Sequence, residues 1–189
     1  MDVIDAIRNR RSLNKLKQDA PPKELIEKIL EAGNWAPTHH GTEPWRFYVL
    51  TGESRTKLGE AMAMVRRDDL EDPNSQESTI ILESEAKKPL RAPVIIVVGV
   101  LPSDNPKVIE IEEFEAAGAA LQNMLLAAHS FGLGAKLRTG GAAYSEKVRE
   151  FLGMHSRERI LGFIYLGYPD AIAPTSSRGP VTEKTKWLS

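Results

Sequence analysis

Three short stretches of the chain carry side chains whose types and spacing could do chemistry. Arg10-Arg11-Ser12 groups two guanidiniums with a hydroxyl, a set able to grip a phosphate in bidentate fashion and hydrogen-bond a neighbouring sugar alcohol. The same arginines also suit a helix C-terminus, where the backbone dipole favours cations. Asn34 to Trp45 reads as a loop fenced by Pro37 and Pro44, yet it carries Trp35, Trp45, His39 and His40. Large side chains on a loop suggest a wall against a flat aromatic ligand. Core anchoring by the tryptophans, with exposed histidines, is the competing reading. Gly134 to Gly141, with Lys136, Arg138 and Thr139, offers donors and closely approachable backbone at a strand end. It equally fits an ordinary turn beside a solvated Lys-Arg pair.

Other chemistries are excluded by composition or spacing. With no cysteine there is no disulfide framework, no thiolate nucleophile and no cysteine-held metal cluster. No Gly-x-x-x-x-Gly-Lys-Ser/Thr loop, Gly-x-Ser-x-Gly elbow or His-Glu-x-x-His pair occurs. Gly132-Leu133-Gly134 is a fragment of a dinucleotide fingerprint and follows a helix rather than a strand. A metal site at His39-His40-Gly41-Thr42-Glu43 fails on geometry, since Gly41 and Pro44 deny the helix that would gather such ligands. His129 reads as a helix-face residue and His155 as a loop residue, neither with an evident partner.

The elements that must position these groups follow from periodicity and punctuation. Residues 2 to 11 read as a helix capped by Asp2, with Val3, Ile4 and Ile7 as its apolar stripe. A second helix starts at Pro21-Pro22, buries Leu25, Ile26, Ile29 and Leu30, and ends at Gly33. Arg46 to Thr51 has strand character, and Ser54 is placed to cap a helix burying Leu58, Ala61, Met62 and Val65. Arg66 to Ser78 is polar and acidic and reads as an exposed excursion, with Thr79 to Lys88 a short helix. Pro93 to Val100 is apolar without alternation, which predicts a central strand covered on both faces. The longest helix runs from about Glu110 to Phe131, apolar nearly all round from Ala116 to Ala128. Such a helix needs cover on every side, supplied most simply by the sheet and a second subunit. A strand near Ala135 to Arg138, a helix between Ser145 and Gly153, and a strand from Ile160 to Tyr168 complete the set. About five helices and four strands without regular alternation predict a three-layer α+β domain.

The chain has 189 residues, 41% hydrophobic and 27% charged, enough for one domain with a real core. A net charge of −1 from interspersed signs gives no broad field for nucleic acid, so an anionic ligand must be held locally. The apolar run Val94 to Leu101 falls well short of the ~20 residues a membrane span needs. The charged N-terminus lacks an apolar signal region, and a cytoplasmic location is expected.

Taken together, the segments resemble the FMN-dependent NAD(P)H nitroreductases, specifically the short, single-domain bacterial members. The resemblance lies in Arg10-Arg11-Ser12, in Leu25 to Ala32 leading to Trp35-Ala36-Pro37-Thr38-His39, and in Glu43-Pro44-Trp45-Arg46-Phe47-Tyr48-Val49. The alanine-rich helix, Gly132-Leu133-Gly134 and Ile160 to Gly167 continue it in order over nearly the whole chain. It implies one nitroreductase-like domain over residues 1–189, with a central, mainly antiparallel sheet flanked by helices. It also implies a homodimer packed through the long helices, FMN at the interface, and residues 170–189 as an arm reaching across the partner. By position, Arg10 and Arg11 would hold the FMN phosphate or nearby oxygens and Ser12 the ribityl chain, with Arg178 a further phosphate cation. Trp35 and His39 would line the flavin pocket, and Leu137, Arg138 and Thr139 would form the second flavin-binding segment. Relatives continue Arg-Arg-Ser-x-Arg-x-Phe where this chain has Leu13-Asn14-Lys15-Leu16, which leaves Lys15 as a substitute. The implied activity is reduction of nitroaromatic, quinone or similar electron-poor compounds by NAD(P)H in a two-stage ping-pong cycle. No protein acid, base or metal is assigned a catalytic role. The alternatives are enone reduction or dehalogenation on the same fold, or a non-enzymatic flavin-binding protein.

Overall fold

The computed structural model describes residues 1–173 and 175–188; what the tail expectation assigned to Pro174 and Ser189 lies outside the described residues. Asp2 accepts from the Ile4 amide at 2.7 Å and so caps α1 (Val3–Asn9). The helix stops at Asn9 rather than Arg11, because Arg10 is extended (φ −59°, ψ 129°). Arg10-Arg11-Ser12 therefore leave the helix as open chain: Ser12 bridges in parallel to Ala135, and the Leu13 amide donates to the Ala135 carbonyl at 3.2 Å. Of α1 only Ala6 is buried, so the stripe of Val3, Ile4 and Ile7 lies exposed.

α2 (Lys23–Asn34) follows Pro22 as expected, but Gly33 does not terminate it. A Cβ at Gly33 would lie 2.8 Å from Met124 Cγ, so this glycine lets α2 press against α5 (Glu110–Ser130). After β1 (Trp45–Thr51), α3 (Glu53–Asp68) begins at Gly52, whose φ of 51° makes the turn. Ser54 is thus not the cap; its hydroxyl turns back to the Thr51 amide at 3.0 Å and carbonyl at 2.7 Å. The expected excursion over 66–78 is also shorter than its composition suggested. α3 runs on to Asp68, and Ser75 caps α4 (Gln76–Ala86) by accepting from the Ser78 amide at 3.1 Å. A polar run becomes helix when its ends are capped and one face packs. Here the packing is close, since a Cβ on Gly59 of α3 would lie 1.9 Å from the Ala86 carbonyl oxygen.

β2 (Val94–Val100) is buried at every position, as its unbroken apolar run predicted. α5 then ends in paired backbone bonds, Gly132 amide to His129 carbonyl at 3.0 Å and Leu133 amide to Ala128 carbonyl at 2.9 Å, with Gly132 at φ 75°. β3 (Gly134–Arg138), α6 (Glu146–Phe151) and β4 (Arg159–Gly167) complete the regular elements. Ser145 precedes α6 but its side chain makes no capping bond, whereas Gly153 closes that helix as expected.

The strands form one sheet in the order β1-β2-β4-β3, every neighbouring pair antiparallel. Period-two alternation divides each strand between two cores. Ile95, Val97, Phe163 and Tyr165 face Leu58, Met62 and Val148 of α3 and α6. Val94, Ile96, Ile164 and Leu166 face Ile29, Leu121, Met124 and Ala128 of α2 and α5. The result is the expected three-layer α+β architecture. Six α-helices stand among the described residues, because the polar run after α3 supplies a full one. α5 is only partly covered: Ile111 is exposed, and Phe114, Ala119 and Leu126 are half-buried. Among the described residues no helix is long and apolar enough to cross a membrane.

Candidate functional site

Two cavities border the edge strand β3. The first, about 340 Å³, lies between the extended Arg10-Arg11 segment and the C-terminal end of α5, with Leu13, Ala135, Pro169 and Ala173 also on its walls. Its polar groups are cationic or neutral, and no carboxylate lines it. The Nε atoms of Arg10 and Arg11 and Nε2 of His129 are buried there without a hydrogen-bond partner in the protein. Arg11 does donate through its terminal nitrogen to the Arg8 carbonyl at 2.6 Å and the Arg10 carbonyl at 2.9 Å, which fixes its fork. Burial pushes the Arg10 pKa down, and the charges of Arg11 and Arg178 push it further. Arg178, distant in sequence and not on the walls of this cavity, bears on Arg10 through its charge. His129 is also held below its usual value, first by burial and then by Arg10 and Arg11. Like charges gathered without a counter-ion raise the free energy of the empty protein and favour an anion.

The second cavity, about 350 Å³, is lined by the run from Lys136 to Ala142 together with Tyr165, Phe163, Glu85 and Lys88. Arg138 lies 5.0 Å above the Tyr165 ring, and its Nε is buried without a partner. Lys136 reaches the Asn14 side chain, and burial with the charges of Arg138 and Arg91 lowers its pKa. Lys88 pairs with Glu85 at the rim. Thr139 is exposed, so its hydroxyl is open to a ligand. Asn14 contacting Lys136 and Ser12 bridging Ala135 join the N-terminal segment to both cavities.

Trp35 and His39 stand elsewhere. Trp35 is 79% exposed and donates from Nε1 to Glu31 at 2.7 Å. Trp45, by contrast, is buried and donates to the Asn34 side chain at 3.0 Å, which makes it the core anchor. His39 Nδ1 lies 2.5 Å from Glu112 Oε2, and its ring stacks on His40 at 4.0 Å. The loop turns through positive φ at His40 (57°), Gly41 (64°) and Glu43 (45°). It is fastened by Glu113, 1% exposed, which accepts from the Thr42 hydroxyl at 2.5 Å and the Ser103 amide at 3.0 Å. Within one chain, then, Arg10 and Arg11 border the cavity on one side of β3 and Leu137, Arg138 and Thr139 the cavity on the other, while Arg178 is exposed, borders neither, and bears on Arg10 through its charge. Trp35 and His39 border neither cavity.

Sequence reasoning missed His129, Glu112 and Glu113. The two glutamates read as ordinary first-turn acids that suit the helix dipole. The available signal was that Glu113 falls on the buried face of α5, three residues before Ala116. His129 sits on a helix face, and only tertiary packing shows what it faces. Among the described residues no group of three or more His, Asp or Glu is placed to hold a metal ion.

The chain is thus a three-layer α+β sandwich with arginine-bearing cavities on both sides of an edge strand. The nitroreductase family model matches residues 7–168. YdjA of Escherichia coli K12, a protein named as an NAD(P)H nitroreductase, is 36% identical over 180 residues, covering 95% of each chain. A nitroreductase-like family protein of Bacillus cereus has a solved structure that superposes with a TM-score of 0.82 at 30% identity, over 100% of this chain and 96% of that one. A protein of Desulfovibrio desulfuricans, named as a nitroreductase and solved in complex with FMN, gives 0.70 at 29% identity, over 100% and 98%. The chain belongs to the nitroreductase family, a family of oxidoreductases.

Proposed function

We propose that the protein is an FMN-dependent oxidoreductase that uses NAD(P)H to reduce nitroaromatic, quinone or similar electron-poor compounds in a two-stage ping-pong cycle. The observation that carries this reading is the first cavity, where Arg10 and Arg11 present buried, unpartnered guanidinium nitrogens with no carboxylate beside them. A phosphate monoester is the complementary ligand, since guanidinium forks match its oxygens and its double charge offsets their repulsion. Arg178, already acting on Arg10, is a further phosphate cation. Ser12, leading from those arginines toward β3, suits the ribityl chain. On the far side of β3, the Arg138 guanidinium supplies positive charge, and Thr139 an exposed hydroxyl, where an isoalloxazine edge would need a cation and a donor. Lys15 is the alternative cation.

Bound FMN would supply the redox chemistry, accepting a hydride from NAD(P)H and passing two electrons to the second substrate in the same cleft. The chain's own task is to hold, orient and electrostatically bias that group, and no residue is assigned as acid or base.

A homodimer completes this reading. Ile111 on α5, Val3, Ile4 and Ile7 on α1, and Trp187 at 91% exposure lack cover within one chain. Residues 1–189 act as one domain in this reading, with 170–189 as an arm across the partner, which would bring the partner's Trp35 and His39 loop to the flavin. A location in the cytoplasm is part of this reading.

The test is reconstitution. Purified protein should bind about one FMN per chain, bleach on NADH or NADPH without oxygen, and recolour when a nitroaromatic or quinone is added. A protein that binds no FMN refutes the reading. One that binds FMN but is not reduced by either nucleotide is a flavin-binding protein instead, and one that recolours only with enones or halogenated substrates belongs to the same fold with different chemistry.

A further inference from the structure

The His129 side chain makes no hydrogen bond among the described residues. It lies in the last turn of α5, and its Nε2 is buried without a partner at the wall of the cavity that holds Arg10 and Arg11. It takes part in no ion pair among the described residues. A buried polar atom left unpaired costs about 1–3 kcal/mol, so its persistence at a cationic cavity points to a ligand.

We propose that His129 is a ligand of the FMN phosphate alongside Arg10 and Arg11, and that FMN binding there is coupled to uptake of a proton by the His129 imidazole. The inference rests on the reading that this cavity receives the phosphate. The charged and titratable groups around His129 are Arg10 and Arg11, with Arg178 beside Arg10, and the amino group of Met1, which borders the same cavity. All are cations, and burial first, then the charges of Arg10 and Arg11, hold the free imidazole below its usual pKa, which favours its neutral form. A phosphate dianion reverses the sign of the local field, because an opposite charge within about 4–6 Å favours the charged form. The C-terminal dipole of α5 acts in the same direction. The imidazolium then donates from Nε2 to a phosphate oxygen, and one proton passes from solvent to the protein for each FMN bound.

The pH dependence follows from the two imidazole pKa values. Affinity is flat below the free value, falls tenfold per pH unit between the free and bound values, and is flat above the bound one. The phosphate's own second ionisation, near about 6, acts oppositely and is complete above about pH 7. Affinity for FMN therefore falls as pH rises from the free toward the bound imidazole value. FMN and riboflavin titrations by flavin fluorescence, with wild type, His129→Gln and Arg10→Met, test this. The expected result is a fall for wild type with FMN that is steeper than that of His129→Gln, and no such difference between the two with riboflavin. Because the Met1 amino group is common to wild type and variant, only the difference between them reports His129. NMR titration of the wild-type His129 ring, with and without FMN, gives the same answer if the variant misfolds, through an upward move of its pKa on binding. Identical slopes in wild type and variant, or an unmoved ring titration, overturn the inference while Arg10→Met still weakening FMN preserves the proposed function. Unchanged FMN affinity in Arg10→Met removes the phosphate cavity and the inference together.

Discussion

Replacing Arg10 with methionine separates what the side chain does for the ligand from what it does for the fold. In the empty protein Arg10 is a half-buried cation whose pKa is pushed down by burial and by Arg11 and Arg178, and whose Nε has no partner. Methionine keeps most of the apolar stem that packs along the cavity wall. Removing an unsatisfied buried group relieves about 1–3 kcal/mol. The opposing loss is the favourable contact of a cation with the C-terminal dipole of α1, worth about 0.3–1 kcal/mol. Since the smallest relief matches the largest loss, the empty variant should be as stable as wild type or more so. Each net kcal/mol raises Tm by about 2–4 °C in a chain of this size. For FMN the sign reverses: a charge-assisted contact worth about 1.5–3 kcal/mol is lost, which at about 1.4 kcal/mol per tenfold weakens binding by roughly 10- to 150-fold. Fluorescence titration of the empty protein with FMN, and thermal unfolding with and without it, measure both quantities. A lower Tm in the empty variant together with unchanged FMN affinity would refute the reasoning and leave Arg10 as a helix terminus.

Gly59→Ala should destabilise the fold by about 2–3 kcal/mol through overpacking, because its Cβ would lie 1.9 Å from the Ala86 carbonyl oxygen, and thermal unfolding measures it. Gly118→Arg should leave the isolated chain folded, since a Cβ there meets nothing within 4 Å, yet yield a monomer by sedimentation with lost FMN binding. A Gly118→Arg dimer that still binds FMN argues against pairing through α5. Glu113→Gln turns one acceptor into a donor facing the Thr42 hydroxyl or Ser103 amide, so it should lower stability by about 1.5–3 kcal/mol and speed hydrogen exchange over residues 38–43. Burial pushes the Tyr165 hydroxyl up to about 12, from 10 in the unfolded chain. The native state thus keeps a proton that the unfolded state releases, so the associated stability is whole below pH 10 and is lost as pH rises through 12. Denaturant titrations of wild type and Tyr165→Phe across that range should show a shallower fall for the variant.

Much of the architecture was legible because its signals are local. The unbroken run Val94 to Val100 announced a strand covered on both faces, and the structure buries all of it. Asp2 and Gly153 act as the cap and terminator their types suggested. Expectations failed where a local signal has two physical uses. Gly33 looked like a helix terminator and is a packing notch for Met124. Ser54 looked like a cap and instead closes the turn at Thr51. The acidic run after Arg66 looked like an excursion because composition does not register a capped helix that packs one face through Gly59.

The candidate site divides in the same way. The sequence by itself determined the donor types, Arg10-Arg11-Ser12 and the glycine-rich end of β3, the absence of any thiol, and the family. It could not determine that Arg10 acts on His129 and Arg178 on Arg10, or that Ser12 lies against Ala135. Those proximities depend on the strand order β1-β2-β4-β3, which sets the end of α5 beside the chain leaving α1. Capping, turn and periodicity preferences act over a few residues and are written in the local sequence. Convergence of distant charges is a property of closed topology, fixed by burying two faces of one sheet, and only the tertiary structure decides it.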